Sequence, residues 1–204
     1  MHKLITVLLL FPIVCFSQID PIEGRFELSV SESKVEWEGK DFGGVGRHEG
    51  TLQLTSGFLT IKDNQVKGDF ELDMKSIRNT DQEDEQGRKD LEEHLRSEDF
   101  FAVAQFPKAF FSITKIVPIP FKVPFKAERY TITGFLGIKG ITNPISFPAV
   151  IEFSEKGAHA QAVLVFDRTK WNVTYQSKTI FSNLKEGILS DDVKISVDLV
   201  FKTK

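Results

Sequence analysis

Val193-Lys194-Ile195-Ser196-Val197-Asp198-Leu199-Val200-Phe201-Lys202 alternates apolar and polar side chains almost without a break. Successive side chains of a strand point to opposite faces, so a period of two makes one dry face and one wet face. That is the pattern of a strand in an antiparallel sheet. Working outward, Val35, Trp37 and Gly39 alternate with Lys34, Glu36 and Glu38, and Val66, Phe70, Leu72 and Met74 alternate with Lys67, Asp69, Glu71 and Asp73. The stretches near 49–62, 109–116, 129–139, 145–153 and 158–168 bring the count to about eight strands. Turn chemistry lies between them, at Asp63-Asn64 and from Lys139-Gly140 through Asn143-Pro144. The fold class is therefore all-β. About eight antiparallel strands can close into a barrel, which removes unpaired edges and leaves an interior either filled by side chains or holding one small ligand.

Two stretches break the alternation. From Asp81 to Phe101 the chain is charged and helix-favouring, with Leu91 and Leu95 at i and i+4 and then Phe100-Phe101. This predicts one helical insertion near residues 81–101, an amphipathic helix lying across one end of the barrel. Its acidic start (Asp81, Glu83, Asp84, Glu85) lacks the Gly and distal Glu of a calcium loop and reads as a solvated helix N-terminus. The second break is a long loop near residues 169–191 that carries Trp171, Tyr175, Phe181, Leu184 and Ile188. Loops of that length tend to be functional, and its apolar content suits a lid.

Residues 1–17 read as a signal peptide: Met1-His2-Lys3 is basic, Leu4 to Phe16 is apolar, and Cys15-Phe16-Ser17 offers small residues for cleavage after Ser17. The run is shorter than the roughly 17 to 25 residues of a membrane-spanning helix and contains Pro12, so no permanent span is expected. Lipidation at Cys15 is the alternative, disfavoured because Val14 is not the small residue usual before a lipidated cysteine. Residues 18–204 are then one domain, periplasmic or secreted. Cleavage removes the only cysteine and also Lys3, the one charge in the leader, so the net charge passes from −3 to −4. An acidic chain without a disulfide must be held by its core, and it presents no electrostatic footprint for nucleic acid.

The residues that carry catalysis are sparse. After the leader there is no thiol, no Gly-x-Ser-x-Gly elbow, no His-Glu-x-x-His and no Gly-rich phosphate loop. His48, His94 and His159 lie in separate segments without ligand spacing, and His94 reads as a surface residue of the helix. The chain is not expected to be an enzyme or to carry a metal or cofactor. The alternation turns Trp37, Phe70, Phe111, Ile132, Leu136 and Phe166 inward, where they either line a tunnel or fill a solid core. An apolar strand, Val163 to Phe166, ends at Asp167-Arg168 and is followed by Trp171, which is the profile of a greasy tunnel with a polar mouth.

Four segments make that profile more specific: Gly46-Arg47-His48-Glu49-Gly50, His94 through Phe101, Gln105-Phe106-Pro107, and Tyr130 through Pro144. In order and spacing they resemble the YceI-like family of periplasmic lipid- and polyisoprenoid-binding proteins, over nearly all of the chain after residue 25. The resemblance implies a lipocalin-like antiparallel β-barrel whose lumen holds the tail of a long-chain isoprenoid or fatty-acyl amphiphile, such as a polyisoprenoid or isoprenoid quinone. It favours a tunnel over a solid core and sets His48 beside the ligand cavity. For His48 the alternative is a histidine satisfied by a backbone carbonyl between two turn glycines. For Arg168 it is an ion pair with Asp167 or a strand-end carboxylate instead of a head-group contact. Trp171 is placed with Arg168 at the mouth. Gly137 and Asn172 depart from the family pattern; Gly137 could widen the cavity or mark a bulge, and Asn172 can keep a turn that needs positive φ. A hydrolase or redox enzyme acting on such lipids, and a solid-core barrel serving as an interaction module, are the rival readings. Homodimerisation is left open.

Overall fold

The computed structural model describes residues 23–44, 46–63, 65–119, 128–154, 156–177, 179–181 and 187–203. The expected signal peptide and Cys15 lie outside them. The strands are β1 (Gly24–Leu28), β2 (Lys34–Asp41), β3 (Arg47–Lys62), β4 (Gln65–Asn79), β5 (Lys108–Pro118), β6 (Glu128–Ile138), β7 (Ile141–Ser154), β8 (Gly157–Asp167) and β9 (Leu189–Thr203), with one helix, α1 (Glu85–Arg96), between β4 and β5. All pairings are antiparallel, and β3–β4 pairing closes β2 to β9 into an eight-stranded barrel. This is the expected all-β barrel.

The short β1 adds a ninth strand without adding a stave. It pairs with β3 at Gly24↔Ile61 to Glu27↔Phe58 and with β9 at Phe26↔Thr203 to Leu28↔Phe201, whereas β2 occupies the same gap higher up, from Lys34↔Asp198 to Asp41↔Leu189. A 3-10 turn at Val30–Glu32 separates them. The eighth stave is thus split, and its lower half carries Phe26 into the barrel floor, 2% exposed.

Register stacks the inward side chains in layers. From one end to the other of the β9 face these are Val193 with Phe166 and Gly39, Ile195 with Leu164 and Trp37, Val197 with Ala162 and Val35, Leu199 with Ala160, and Phe201 with Ala158. The floor is closed by aromatic packing, with Phe70 and Phe201 edge to face at 6.0 Å and Phe26 against Phe153 at 6.2 Å.

Two boundaries and one glycine differ from the sequence expectation. The helix is shorter than 81–101: Asp84 caps it by accepting from the Gly87 N–H at 2.6 Å. Asn143-Pro144 belongs to β7 instead of the preceding turn, which is Lys139-Gly140 alone, with φ of 51° and 74°. Proline is tolerated there because the β7–β8 ladder runs only from Ala149↔Ala162 to Ser154↔Gly157, so Pro144 and Pro148 sit where β7 has a single ladder neighbour. Gly137 faces outward with the Phe110 ring against it, where a Cβ would come within 2.1 Å, so it neither widens the interior nor makes a bulge.

Candidate functional site

The barrel is not solid. A cavity of about 470 Å³ runs down its interior, with an almost wholly apolar wall. That volume lies within the usual range of small-molecule sites. Its shape follows from an uneven distribution of side-chain size. On β4 and β5, Phe70 and Phe111 stack at 6.5 Å, whereas across the ring Ala160 and Ala162 of β8 and Ala149 of β7 present only methyl groups.

Six inward residues read from the alternation, Trp37, Phe70, Phe111, Ile132, Leu136 and Phe166, all line this cavity. Trp171 does not. Its indole is 1% exposed, packs edge to face on Phe166 at 5.0 Å, and donates its Nε1–H to the Leu136 carbonyl at 2.9 Å. It is a wedge behind the wall, because a buried indole needs both a packing surface and an acceptor and finds them there. The 3-10 turn Arg168–Trp171 that presents it ends at Asn172 in the left-handed region, φ 56°. Asn fills the conformation expected of that position.

The cavity opens at the end where α1 crosses the barrel. Leu91, His94 and Leu95 of α1 line it there, with Phe100 and Phe101 from the turn that follows and Tyr175 from the segment after Trp171. His94, expected as a surface residue of the helix, has a side chain 37% exposed, and its ring meets Phe100 and Tyr175 at 5.0 and 4.7 Å, with Nε2 at 3.1 Å from Asp99. The helix face it occupies is set by the barrel beneath, which the helical period alone does not specify. Thr169 to Gln176 form hydrogen-bonded turns at the mouth; of the expected lid, residues 178 and 182–186 lie outside the described residues.

His48 sits on the rim, with a half-exposed side chain. Its partner is a carboxylate, Asp81, at 3.0 Å from Nδ1, and not the backbone carbonyl that the alternative reading supplied. Asp81 also accepts from the Glu49 N–H at 2.9 Å and from the Asn79 amide. Burial raises its pKa, but hydrogen bonds from Glu49, His48 and Asn79 outweigh that and hold it below the usual carboxylate value. Asn79 in turn donates its backbone N–H to Glu92 of α1 at 3.0 Å, and Glu92 also takes Arg96 at 2.9 Å. One polar chain therefore ties the mouth strand β3 through β4 to the helix.

Arg168 lines the upper cavity yet is 4% exposed. Each of its three nitrogens has a protein acceptor: Nε to Ser190 O at 3.0 Å, Nη1 to Val173 O at 2.9 Å and Nη2 to Asp191 at 3.5 Å. Burial lowers its pKa while Asp191 and Asp167 hold it up. Of its two readings, the geometry is that of the ion pair with a strand-end carboxylate. Lys139 does similar work, joining Glu98 O at 3.2 Å to Asn172 O at 3.1 Å and so fastening the Gly140 turn to the helix end and the Trp171 turn.

Among the described residues no group of three His, Cys, Asp or Glu could hold a metal ion, and no helix is long and apolar enough to cross a membrane. His48 and His159 have separate carboxylate partners, Asp81 and Asp198. Sequence reasoning placed Tyr175 in the long loop without assigning it to the cavity, and it missed the inward alanines. The spacing of Ala158, Ala160 and Ala162 by two was a legible signal for a wide sector of barrel.

Comparison with known proteins agrees with this geometry. The chain is similar in fold to BcnA of Burkholderia cenocepacia, at a TM-score of 0.65 and 20% identity over 85% of this chain and 98% of that one. It is equally similar, at 0.65 and 13% identity over 88% and 98%, to a polyisoprenoid-binding domain of Saccharophagus degradans implicated in plant cell wall breakdown. In sequence it is 31% identical over 91 residues to the UPF0312 protein YE1254 of Yersinia enterocolitica, a match that spans 41% of this chain and 43% of that protein. The family model of the YceI-like domain matches residues 26–201, nearly all of the barrel, and the chain belongs to that family.

Proposed function

We propose that this protein binds one long-chain amphiphile, with an isoprenoid or fatty-acyl tail in the barrel and a polar head near the rim, and that it carries or stores this lipid in the periplasm after removal of residues 1–17. The observation that carries the reading is the apolar cavity of about 470 Å³, open at one end, which a solid-core interaction module would not need. Tail burial supplies the energy: at ~0.8 kcal/mol per buried CH₂, about 16 carbons give a gross term near 13 kcal/mol, reduced by ordering and association costs. The Saccharophagus domain, described as polyisoprenoid-binding, supports the same tail chemistry. The role is binding without catalysis. The rim histidines are each paired to a carboxylate with no nucleophile among their partners, so the arrangement suits holding a lipid more than transforming it.

The experiment is mass spectrometry of an organic extract from natively purified mature protein, expected to yield an amphiphile with one long apolar chain near one equivalent. A protein that elutes empty and takes up no long-chain amphiphile on titration contradicts the reading. Conversion of the added lipid to product selects the enzyme instead.

A further inference from the structure

Apolar side chains are common on protein surfaces, and singly they call for no explanation. Those at the cavity mouth are not single. Among the described residues the two most exposed phenylalanines are Phe42, at 56%, and Phe181, at 49%, and Ile180 beside the second is 51% exposed. Backbone hydrogen bonds connect them around the opening. The Phe42 N–H donates to Ile188 O at 2.9 Å, the Leu189 N–H to Gln176 O at 3.0 Å, and the Phe181 N–H to Ser177 O at 2.9 Å. Asp41, Gln176 and Leu189, the chain neighbours of these contacts, line the cavity. The three apolar side chains therefore border the opening along one arc.

Their exposure is built into the turns that carry them. After Phe42 the chain turns back through Gly44 N–H to Asp41 O at 2.9 Å, with φ of 100° and 72° at Gly43 and Gly44, values that glycine adopts without steric cost. The turn bearing Ile180 and Phe181 is anchored by the fully buried Ser177, whose hydroxyl accepts from the Ile180 N–H at 3.3 Å. Thr179 fastens it again by donating its hydroxyl to Asp191 at 2.5 Å. Both turns are pinned from beneath and hold apolar groups out in water, which is unfavourable until something apolar covers them.

We infer that Phe42, Ile180 and Phe181 form a docking surface for a lipid bilayer, on which the mouth is set down while the ligand crosses between membrane and barrel. The inference rests on the lipid-carrier reading above and adds the phase from which the ligand comes. A bilayer fits because the arc continues the apolar cavity wall outward. An apolar tail that passes directly between the two never meets water, whereas one that leaves through solvent exposes its whole length. The charges of the rim are already matched, Glu38 with Lys40, His48 with Asp81, His94 with Asp99 and Arg168 with Asp191. The chain is also acidic overall, so the headgroups it meets are zwitterionic and not anionic. Three side chains reach only the interfacial layer, which makes the contact shallow and reversible.

Tritiated methyl palmitate is loaded into the mature protein from ethanol, so that loading needs no bilayer, and its transfer to phosphatidylcholine vesicles is timed. Transfer by contact should quicken in proportion to vesicle concentration, whereas escape through water is independent of it. F42D/F181D is expected to load as the parent does and to transfer about tenfold more slowly. If the double variant does not load, I180D takes its place, with a slowing of about threefold. V163D puts the same charge on a side chain 53% exposed on the outer wall of β8 and should transfer like the parent. Added salt should leave the parental rate unchanged, and a rate that falls with salt overturns the choice of headgroup. A rate independent of vesicle concentration, equal slowing in V163D, or parental transfer by the rim variants overturns the docking surface while leaving the carrier standing. So does a double variant that merely abolishes a dimer of the parent, which gives the arc to a second copy of the chain. A parent that does not load from ethanol overturns both readings.

Discussion

Arg168 concentrates the question of what a buried charge is for. At the mouth of a lipid site a guanidinium is an obvious partner for a head group, but here its nitrogens hold Val173 O, Ser190 O and Asp191, and so join the Trp171 turn to the start of β9. Removing it takes the guanidinium from two carbonyls and leaves Asp191 with the Thr179 hydroxyl as its donor. We expect R168A to lose about 2 to 4 kcal/mol of stability in urea denaturation, with R168K recovering little, because one ammonium cannot reach three acceptors. Binding of charged and uncharged amphiphiles should fall in parallel, tracking stability. Selective loss of the charged ligand in a variant of unchanged stability would restore the head-group role. Gly134 poses the steric counterpart, since a Cβ there would lie 2.4 Å from the Ser112 carbonyl and 2.6 Å from the Phe111 ring. The backbone oxygen cannot move aside cheaply. G134A is expected to cost about 1 to 3 kcal/mol, measured by the same denaturation.

At the scale of elements, α1 is fastened to the barrel by carboxylates, and their ionisation decides how firmly. Burial opposes the charge on Glu92, but the Asn79 N–H, Arg96 and Arg78 outweigh it and hold its pKa below the ordinary value, as Glu49, His48 and Asn79 do for Asp81. Carboxylates with lowered folded values contribute stability that is fully present above their unfolded pKa, about 4, and is lost as pH falls through the lower folded values. As pH falls below about 4 the helix should loosen from β4, read as faster amide exchange over 85–96, and E92Q should show much of that loosening already at pH 7. D84A, which removes the cap on Gly87 N–H, is expected to cost about 1 kcal/mol. The elements were legible in the sequence to different degrees for physical reasons. Alternation along β4 or β9 is a local property, so those strands could be read from residues alone. Which face of α1 meets the barrel is not local, and so the contacts of His94 with Phe100 and Tyr175 at the rim were not legible. Trp171 was misplaced for the same reason: its acceptor, Leu136 O, lies 35 residues away in sequence.

The whole molecule is a barrel whose wall is thick on one side and thin on the other. The cavity owes its volume to that imbalance: strands carrying Phe70 and Phe111 face a sector of Ala149, Ala160 and Ala162 across the ring, and the floor is closed by Phe26, Phe153 and Phe201. The sequence could place each of these side chains inward but not weigh the sum, because whether inward volumes fill a ring depends on closure and tilt, which set the space to be filled. If the tail lies along the alanine sector, adding volume there should displace it without disturbing the ladder. Ala160 is the informative position, paired with Leu199 and Ile151 midway between floor and mouth. A160F directs a ring into open space, so the expected outcome is a folded barrel with an unchanged or higher melting temperature and at least tenfold weaker uptake of a 16-carbon ester. The same change at outward Gln161, its neighbour, should leave uptake alone. An A160F barrel that folds and still retains the ester at parental affinity would place the tail elsewhere than along β8.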